Sequence, residues 1–86
     1  MQKDEYAKAF GEHLKSLLEE KGMTQAELAR RTGMTEASVS RYISGQRTPR
    51  IAQAYRMALV IGIDMNTLIY IGKGDDERCK EKNQKQ

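Results

Sequence analysis

The sequence predicts an all-α fold of five short helices, and three observations carry that prediction. Apolar residues recur at three-and-four spacing through most of the chain. Glycines at 22, 33, 45, 62 and 72 stand where those patterns stop. Thr24, Thr35, Thr48 and Asp64 stand where they start, as residues able to cap a helix N-terminus. No strand pattern and no internal repeat competes with this reading.

The first helix is predicted from about Asp4 to Lys21, with Tyr6, Ala7, Phe10, Leu14, Leu17 and Leu18 inward and Gly22 as its stop. The second opens on Thr24-Gln25-Ala26-Glu27, a capping box in which Thr24 and Glu27 satisfy each other's free backbone donors. It carries Ala26, Leu28 and Ala29 and stops at Gly33. Thr35 caps a third helix whose buried side is Val39, Tyr42 and Ile43, ended by Gly45. Thr48 then caps a fourth, with Pro49 at the first helical position, where its missing N–H costs nothing. That helix runs to Ile61 with Ile51, Ala54, Tyr55, Ala58 and Leu59 inward. Asp64 caps a fifth containing Met65, Leu68, Ile69 and Ile71, closed by Gly72. Residues 1–72 therefore read as one domain. Residues 73–86 are charged and nearly without apolar side chains, so a disordered tail is expected.

Length and composition narrow the function classes. Eighty-six residues suffice for one domain and not two. So small a domain buries only ~60–65% of its unfolded surface, and short-connected helices are an efficient way to do it. With no Trp and one Phe, the core must come from aliphatic residues, Met and Tyr. No apolar run approaches the ~18 residues a membrane-spanning helix needs. The polar, acidic start is unlike a signal peptide. The single Cys79 excludes an internal disulfide and a cysteine-based zinc site, and a reducing cytoplasm is the expected setting.

The net charge of +3 is unevenly placed. Residues 22–56 hold six Arg, no Lys and only Glu27 and Glu36, an excess of +4, whereas the flanking segments nearly cancel. Guanidinium groups suit phosphates and guanine edges better than ammonium groups do.

That segment contains TQAELARRTGMTEASVSRYISG, Thr24 to Gly45, two short helices around Gly33-Met34. Ala29 is small enough for the following helix to cross closely. Gly33 can take the positive φ of a sharp turn. Met34, Val39 and Tyr42 fill the angle between the helices. Such a pair holds its second helix outward, toward a DNA major groove. Gly22, Thr24-Gln25, Glu27-Leu28-Ala29, Gly33, Thr35, Val39, Ser44-Gly45, Pro49 and Gly62-Ile63-Asp64 together resemble the helix-turn-helix of the lambda-repressor and Cro-like (XRE) family, over roughly Phe10 to Ile71. The resemblance implies a compact five-helix domain, dimeric on a near-palindromic operator. It implies phosphate contacts from Thr24, Gln25, Thr35, Ser44, Gln46, Arg47 and Arg50, and a base-reading face of Glu36, Ala37, Ser40 and Arg41. Two departures stand out. Leu18 and Ile43 occupy positions where many relatives pair an Arg with a Glu, and Thr32 replaces a usually apolar residue.

Spacing supports the same face independently: Glu36, Ala37, Ser40, Arg41 and Ser44 fall on one side of a helix. Arg41 could grip a guanine edge or a phosphate. Glu36 could accept from cytosine or simply complement the helix dipole. Ala37 could touch a thymine methyl or leave room for the duplex. His13 reads as a surface histidine. The apolar segment Ile63, Met65, Leu68, Ile69, Tyr70 and Ile71 is too rich to turn wholly inward on so short a helix, so part of it, with residues from the end of the fourth helix, is expected to form a homodimer contact. One His and one Cys supply no metal constellation and no acid–base pair, so neither catalysis, a cofactor nor a small-molecule ligand is expected. The expected function is sequence-specific binding of double-stranded DNA, by a repressor. The competing class is an interaction module on the same fold, an antitoxin, antirepressor or adaptor, which should show large apolar residues on the third helix in place of Glu, Ala, Ser and Arg.

Overall fold

The computed structural model describes residues 3–71, with side chains from Glu5 onward. Five helices follow in order: α1 (Lys3–Lys21), α2 (Gln25–Thr32), α3 (Glu36–Ile43), α4 (Ile51–Ile61) and α5 (Met65–Ile69). There is no strand among the described residues. The predicted stop at Gly72 and the predicted tail 73–86 lie outside them.

One core joins all five helices. Phe10, Leu14 and Leu18 enter from α1, Leu28 and Ala29 from α2, Val39 and Tyr42 from α3, Ala54, Met57, Ala58 and Ile61 from α4, and Leu68 from α5. Helix α3 packs on α1 and α2, while α4 packs on α2 and α5. The first helix also ties down the last. The Tyr6 hydroxyl donates to the Ile69 carbonyl at 2.6 Å, and burial raises its phenol above the ordinary value. His13 Nε2 meets the Thr67 carbonyl at 2.7 Å, so its ring spans α1 and α5 instead of standing free in solvent.

The contact between α1 and α3 is closer than any side chain would allow. A Cβ built on Gly11, in the middle of α1, would lie 2.6 Å from the Tyr42 carbonyl oxygen and closer still to that of Ile43. Glycine usually weakens a helix interior by about 1 kcal/mol relative to alanine. Here it lets the C-terminal turn of α3 rest on the α1 backbone.

Four expectations need correction. Thr48 does not cap α4 and Pro49 does not open it. The cap is Arg50, whose backbone N–H donates to Gln53 Oε1 at 3.1 Å, and the first helical residue is Ile51. The predicted inward face of α4 is only partly right. Ala54 and Ala58 are buried with Met57 and Ile61, but Ile51, Tyr55 and Leu59 are 78%, 55% and 62% exposed. Two apolar stripes share the alanines on this helix, and spacing alone does not say which one meets the core. The Thr24 capping box is half formed. Thr24 Oγ1 accepts from the Glu27 N–H at 3.0 Å, but the Glu27 carboxylate turns to Arg31 at 3.5 Å. Leu68 is fully buried within the protomer and is unavailable to a second copy. Ile63, Met65 and Ile69 are half-buried against the same core, where α5 packs on both α4 and α1, and Tyr70 stays 40% exposed.

Two outcomes follow. Gly11→Ala should lower stability despite its better helix propensity, because the clash is with backbone carbonyls that cannot step aside. Overpacking of this kind costs about 2 kcal/mol net, a fall in Tm of roughly 8–16 °C by thermal melting. An unchanged Tm would mean that α1 and α3 are not so close in solution. The second concerns Asp64, whose carboxylate caps α5 by accepting from the Thr67 N–H at 2.8 Å. Hydrogen bonds from the Thr67 backbone and hydroxyl hold its pKa below the usual 3.8. The cap is therefore complete above pH 3.8 and is lost as pH falls through the lowered value. Amide exchange at Thr67 should accelerate in that acid window in the native chain and not in Asp64→Asn. Identical acid profiles would show that the carboxylate is not the cap.

Candidate nucleic-acid interface

The site is built on the corner between α2 and α3. Gly33 takes φ 78° and ψ 17°, a left-handed conformation that lets the chain reverse within two residues. The Met34 N–H then bonds back to the Ala29 carbonyl at 2.9 Å, closing the end of α2. Buried Ala29 makes room for the crossing, with Met34 half-buried beneath it and Val39 fully buried. Thr32 keeps its hydroxyl satisfied although buried, donating to the Leu28 carbonyl at 2.7 Å and lying 3.2 Å from that of Ala29. A polar side chain is therefore tolerated at a position that usually favours an apolar one.

The start of α3 is held by Thr35, which accepts from the Ser38 N–H at 3.1 Å and shares a 3.0 Å hydrogen bond with the Ser38 hydroxyl. Its far end is held by Tyr42, buried and donating its hydroxyl to Gln53 Oε1 at 3.0 Å. With Val39 and Tyr42 locked inward, Glu36, Ala37, Ser40, Arg41 and Ser44 are all exposed. The face expected from spacing is present, and no large apolar residue interrupts it. Among the described residues Arg41 has no ion pair or hydrogen-bond partner for its guanidinium. In the segment 22–56 only Arg31 is ion-paired, with Glu27.

The other candidate residues surround this face unequally. Gln25 opens α2 and is half-buried in a groove of about 190 Å³ that it shares with Lys15, Leu18, Glu19, Met23, Thr24 and Ile43. Leu18 and Ile43 therefore meet the same apolar space, where relatives would carry an ion pair. Such a replacement can be neutral or stabilising. Lys15 was not expected here; it sits outside the arginine-rich segment, and only folding brings it beside Gln25. Past α3, Ser44 Oγ donates to the Arg41 carbonyl at 3.2 Å and accepts from Gln46 Nε2 at 3.0 Å, so both side chains are ordered by one another. Arg47 and Arg50 are exposed and line a second, polar cleft of about 290 Å³ with Ser38, Tyr42, Thr48 and Gln53. Gln53 was also not foreseen. Its signal was a Gln three residues after the helix cap, visible only when the start of α4 is placed at Arg50 and not Thr48.

Two helices locked at a glycine corner, the second presenting a small polar face, define a helix-turn-helix protein. Residues 14–68 match the family model described as helix-turn-helix, and the chain belongs to that family, of the XRE type. It is a DNA-binding transcriptional regulator. No curated protein sequence matches it. Solved structures do. The chain is similar to the restriction-modification controller protein C.AhdI from Aeromonas hydrophila, with 27% identity, a TM-score of 0.70, and coverage of 72% of this chain and 94% of that one. It shares its fold with a hypothetical transcription factor NHTF from Neisseria, at 21% identity and TM-score 0.73 over 94% of this chain and 90% of that one. It also shares it with the clp gene regulator ClgR from Corynebacterium glutamicum, at 18% identity and TM-score 0.73 over 93% and 86% of the two chains. No helix among the described residues is long and apolar enough to cross a membrane.

Proposed function

We propose that the protein is a repressor that binds a near-palindromic operator as a homodimer, with α3 in the major groove of each half-site. The observation that carries this reading is the α3 face: short side chains around one unpaired guanidinium, on a helix whose opposite side is locked into the core. Arg41 reads a base edge, with Glu36, Ala37 and Ser40 beside it. Thr24, Gln25, Thr35, Ser44, Gln46, Arg47 and Arg50 surround that face and hold the DNA backbone, which fixes register without reading sequence. Thr24 and Thr35 act mainly through the helix starts they cap, since their oxygens already accept backbone N–H groups. Repression follows from occlusion, and the reading assigns no catalytic role to the chain.

The dimer contact in this reading centres on the exposed face of α4, beyond the helix end expected from the sequence, and no longer includes Leu68. Ile51, Tyr55 and Leu59 lie at successive four-residue steps on one exposed face, a stripe ~12 Å long. Together they expose on the order of 400 Å² of side chain, within the range of functional apolar patches. Two such patches bury ~800 Å², below the ~1,200 Å² of a stable complex. A weak dimer that the two half-sites bring together matches that area, with the α3 helices ~34 Å apart along the duplex. The second copy is favoured as occupant because a stripe of three neutral side chains offers nothing for a charged partner.

Two measurements test this reading. Operators are first selected from random duplex DNA, then substituted at each base pair. Arg41→Ala should cost roughly 1–3 kcal/mol on the preferred operator and much less on operators already altered at the contacted pair, whereas Gln25→Ala should weaken all sequences alike. A uniform loss for Arg41→Ala would assign it to the backbone. For assembly, Leu59→Glu should leave the fold and half-site affinity intact and abolish cooperative filling of the full operator, read by sedimentation with and without DNA. An unchanged two-to-one complex would move the interface away from α4.

A further inference from the structure

We propose that Glu36 is a specificity gate: its carboxylate requires an exocyclic base amino group, from cytosine or adenine, and acts against every duplex that offers none. This rests on the DNA-binding reading and deepens it by naming what the first turn of α3 demands of the operator.

The argument begins with charge. Between residues 22 and 56 the chain holds six Arg and only two acids. Glu27 has a cation one turn along its own helix and pairs with it, Arg31 at 3.5 Å. Glu36 has no such neighbour. The residues three and four positions away are Gly33 and Thr32 before it and Val39 and Ser40 after it. Among the described residues its carboxylate is in no ion pair and no hydrogen bond. The helix start does not need it as a cap, because Thr35 already accepts from the Ser38 N–H at 3.1 Å. Complementing the helix dipole explains an acid in the first turn, but not an acid on this face. Glu36 is exposed on the side that also carries Ala37, Ser40 and Arg41. Within the basic segment, the one carboxylate left without a cation therefore stands on the surface assigned to a polyanion.

An ionised carboxylate can only accept hydrogen bonds. Phosphate oxygens, guanine O6 and N7 and thymine O4 also only accept, so against them Glu36 meets repulsion and gives up water without a replacement. The amino groups of cytosine and adenine are the donors of the major groove. Glu36 gains only where one of them stands opposite it. Arg41 has the converse chemistry, donors without an acceptor, and suits a guanine edge. The two residues lie ~7.5 Å apart along the helix axis, a span of about two base pairs. A face of cations and small side chains alone would hold any duplex. The acid supplies the element that acts against wrong sequences, and its cost falls mainly on non-specific binding, which is electrostatic.

The test uses the full chain with a selected operator, the same operator substituted at each base pair, and an unrelated duplex. Glu36→Gln and Glu36→Ala should both bind the unrelated duplex several-fold more tightly than the native chain, because a negative charge has left the contact face. Glu36→Ala should also lose preference at one base pair, by roughly tenfold in the ratio of preferred to altered operator. The substitutions at that pair show whether cytosine or adenine supplied the amino group. Preference at the pair read by Arg41 should persist. The alanine variant decides the base preference, because a glutamine can itself read adenine. Melting curves should stay in place, since Glu36 is exposed and Thr35 keeps the cap. If both variants weaken binding by the same factor on every duplex, Glu36 only steadies the helix start and the gate is overturned. If both bind and discriminate as the native chain does, it is overturned while Arg41 and Gln25 keep their assignments. If the native chain selects no duplex at all, the DNA-binding reading fails first, and this one with it.

Discussion

The structure depends on the approach of α1 to the end of α3 at Gly11. Backbone meets backbone there, with the Tyr42 and Ile43 carbonyls against a position where no Cβ fits. The approach fixes the depth and rotation of α3 together. Val39 and Tyr42 are then forced inward, and the strip from Glu36 to Ser44 is left as the only side of the helix with access to a large ligand. A longer residue at 11 would lift α3 by more than a packed interior tolerates, since cores of this density pass strain on instead of absorbing it.

Once α3 is placed, the polar groups around it are organised at both ends by side chains that close backbone ends. Thr35 serves its first turn and Gln53 links its last turn to α4 through Tyr42. The same economy appears at Thr32, where burial of a hydroxyl is offset by hydrogen bonds to its own helix. Helices of eight residues such as α2 and α3 are far below the ~12–15 residues at which isolated helices become marginally stable. Their order comes from caps and tertiary packing, so the reading surface is only as rigid as the core behind it. The cations follow a different rule. Among the described residues they are mostly left unpaired, which costs little at an exposed surface and keeps them available to phosphate.

Much of this was legible before folding. Caps located the starts of α2, α3 and α5, glycines the ends of α1, α2 and α4, and the face of α3 could be read from spacing because that helix is amphipathic, with polar residues on one side only. Helix α4 was not legible in the same way. IAQAYRMALVI is apolar nearly all round, so its periodicity admits two inward stripes, and Ile51, Tyr55 and Leu59 were assigned to the wrong one. For α5 only Leu68 was misplaced: it is fully buried, whereas Ile63, Met65 and Ile69 stay half-exposed and Tyr70 is 40% exposed. The reach of α1 along α5, through Tyr6 and His13, has no local signature. Gly11 was silent for a related reason: a glycine inside a helix reads as a small local defect until the partner backbone that requires it is known.

What the sequence determined by itself was therefore everything carried within one turn or one helix. That covers the helix-turn-helix spacing from Thr24 to Gly45, the start and stop of α2 and α3, the outward set Glu36, Ala37, Ser40, Arg41 and Ser44, and the concentration of arginine in the middle of the chain. What only the tertiary structure decided was everything that joins residues far apart in sequence. Leu68 became core, the α4 stripe became surface, Lys15 came to lie beside Gln25, and Gln53 was aimed into the cleft behind α3. The physical reason is that periodicity and capping are properties of a few consecutive residues, whereas burial and the pairing of a polar atom depend on which distant surface arrives to cover it.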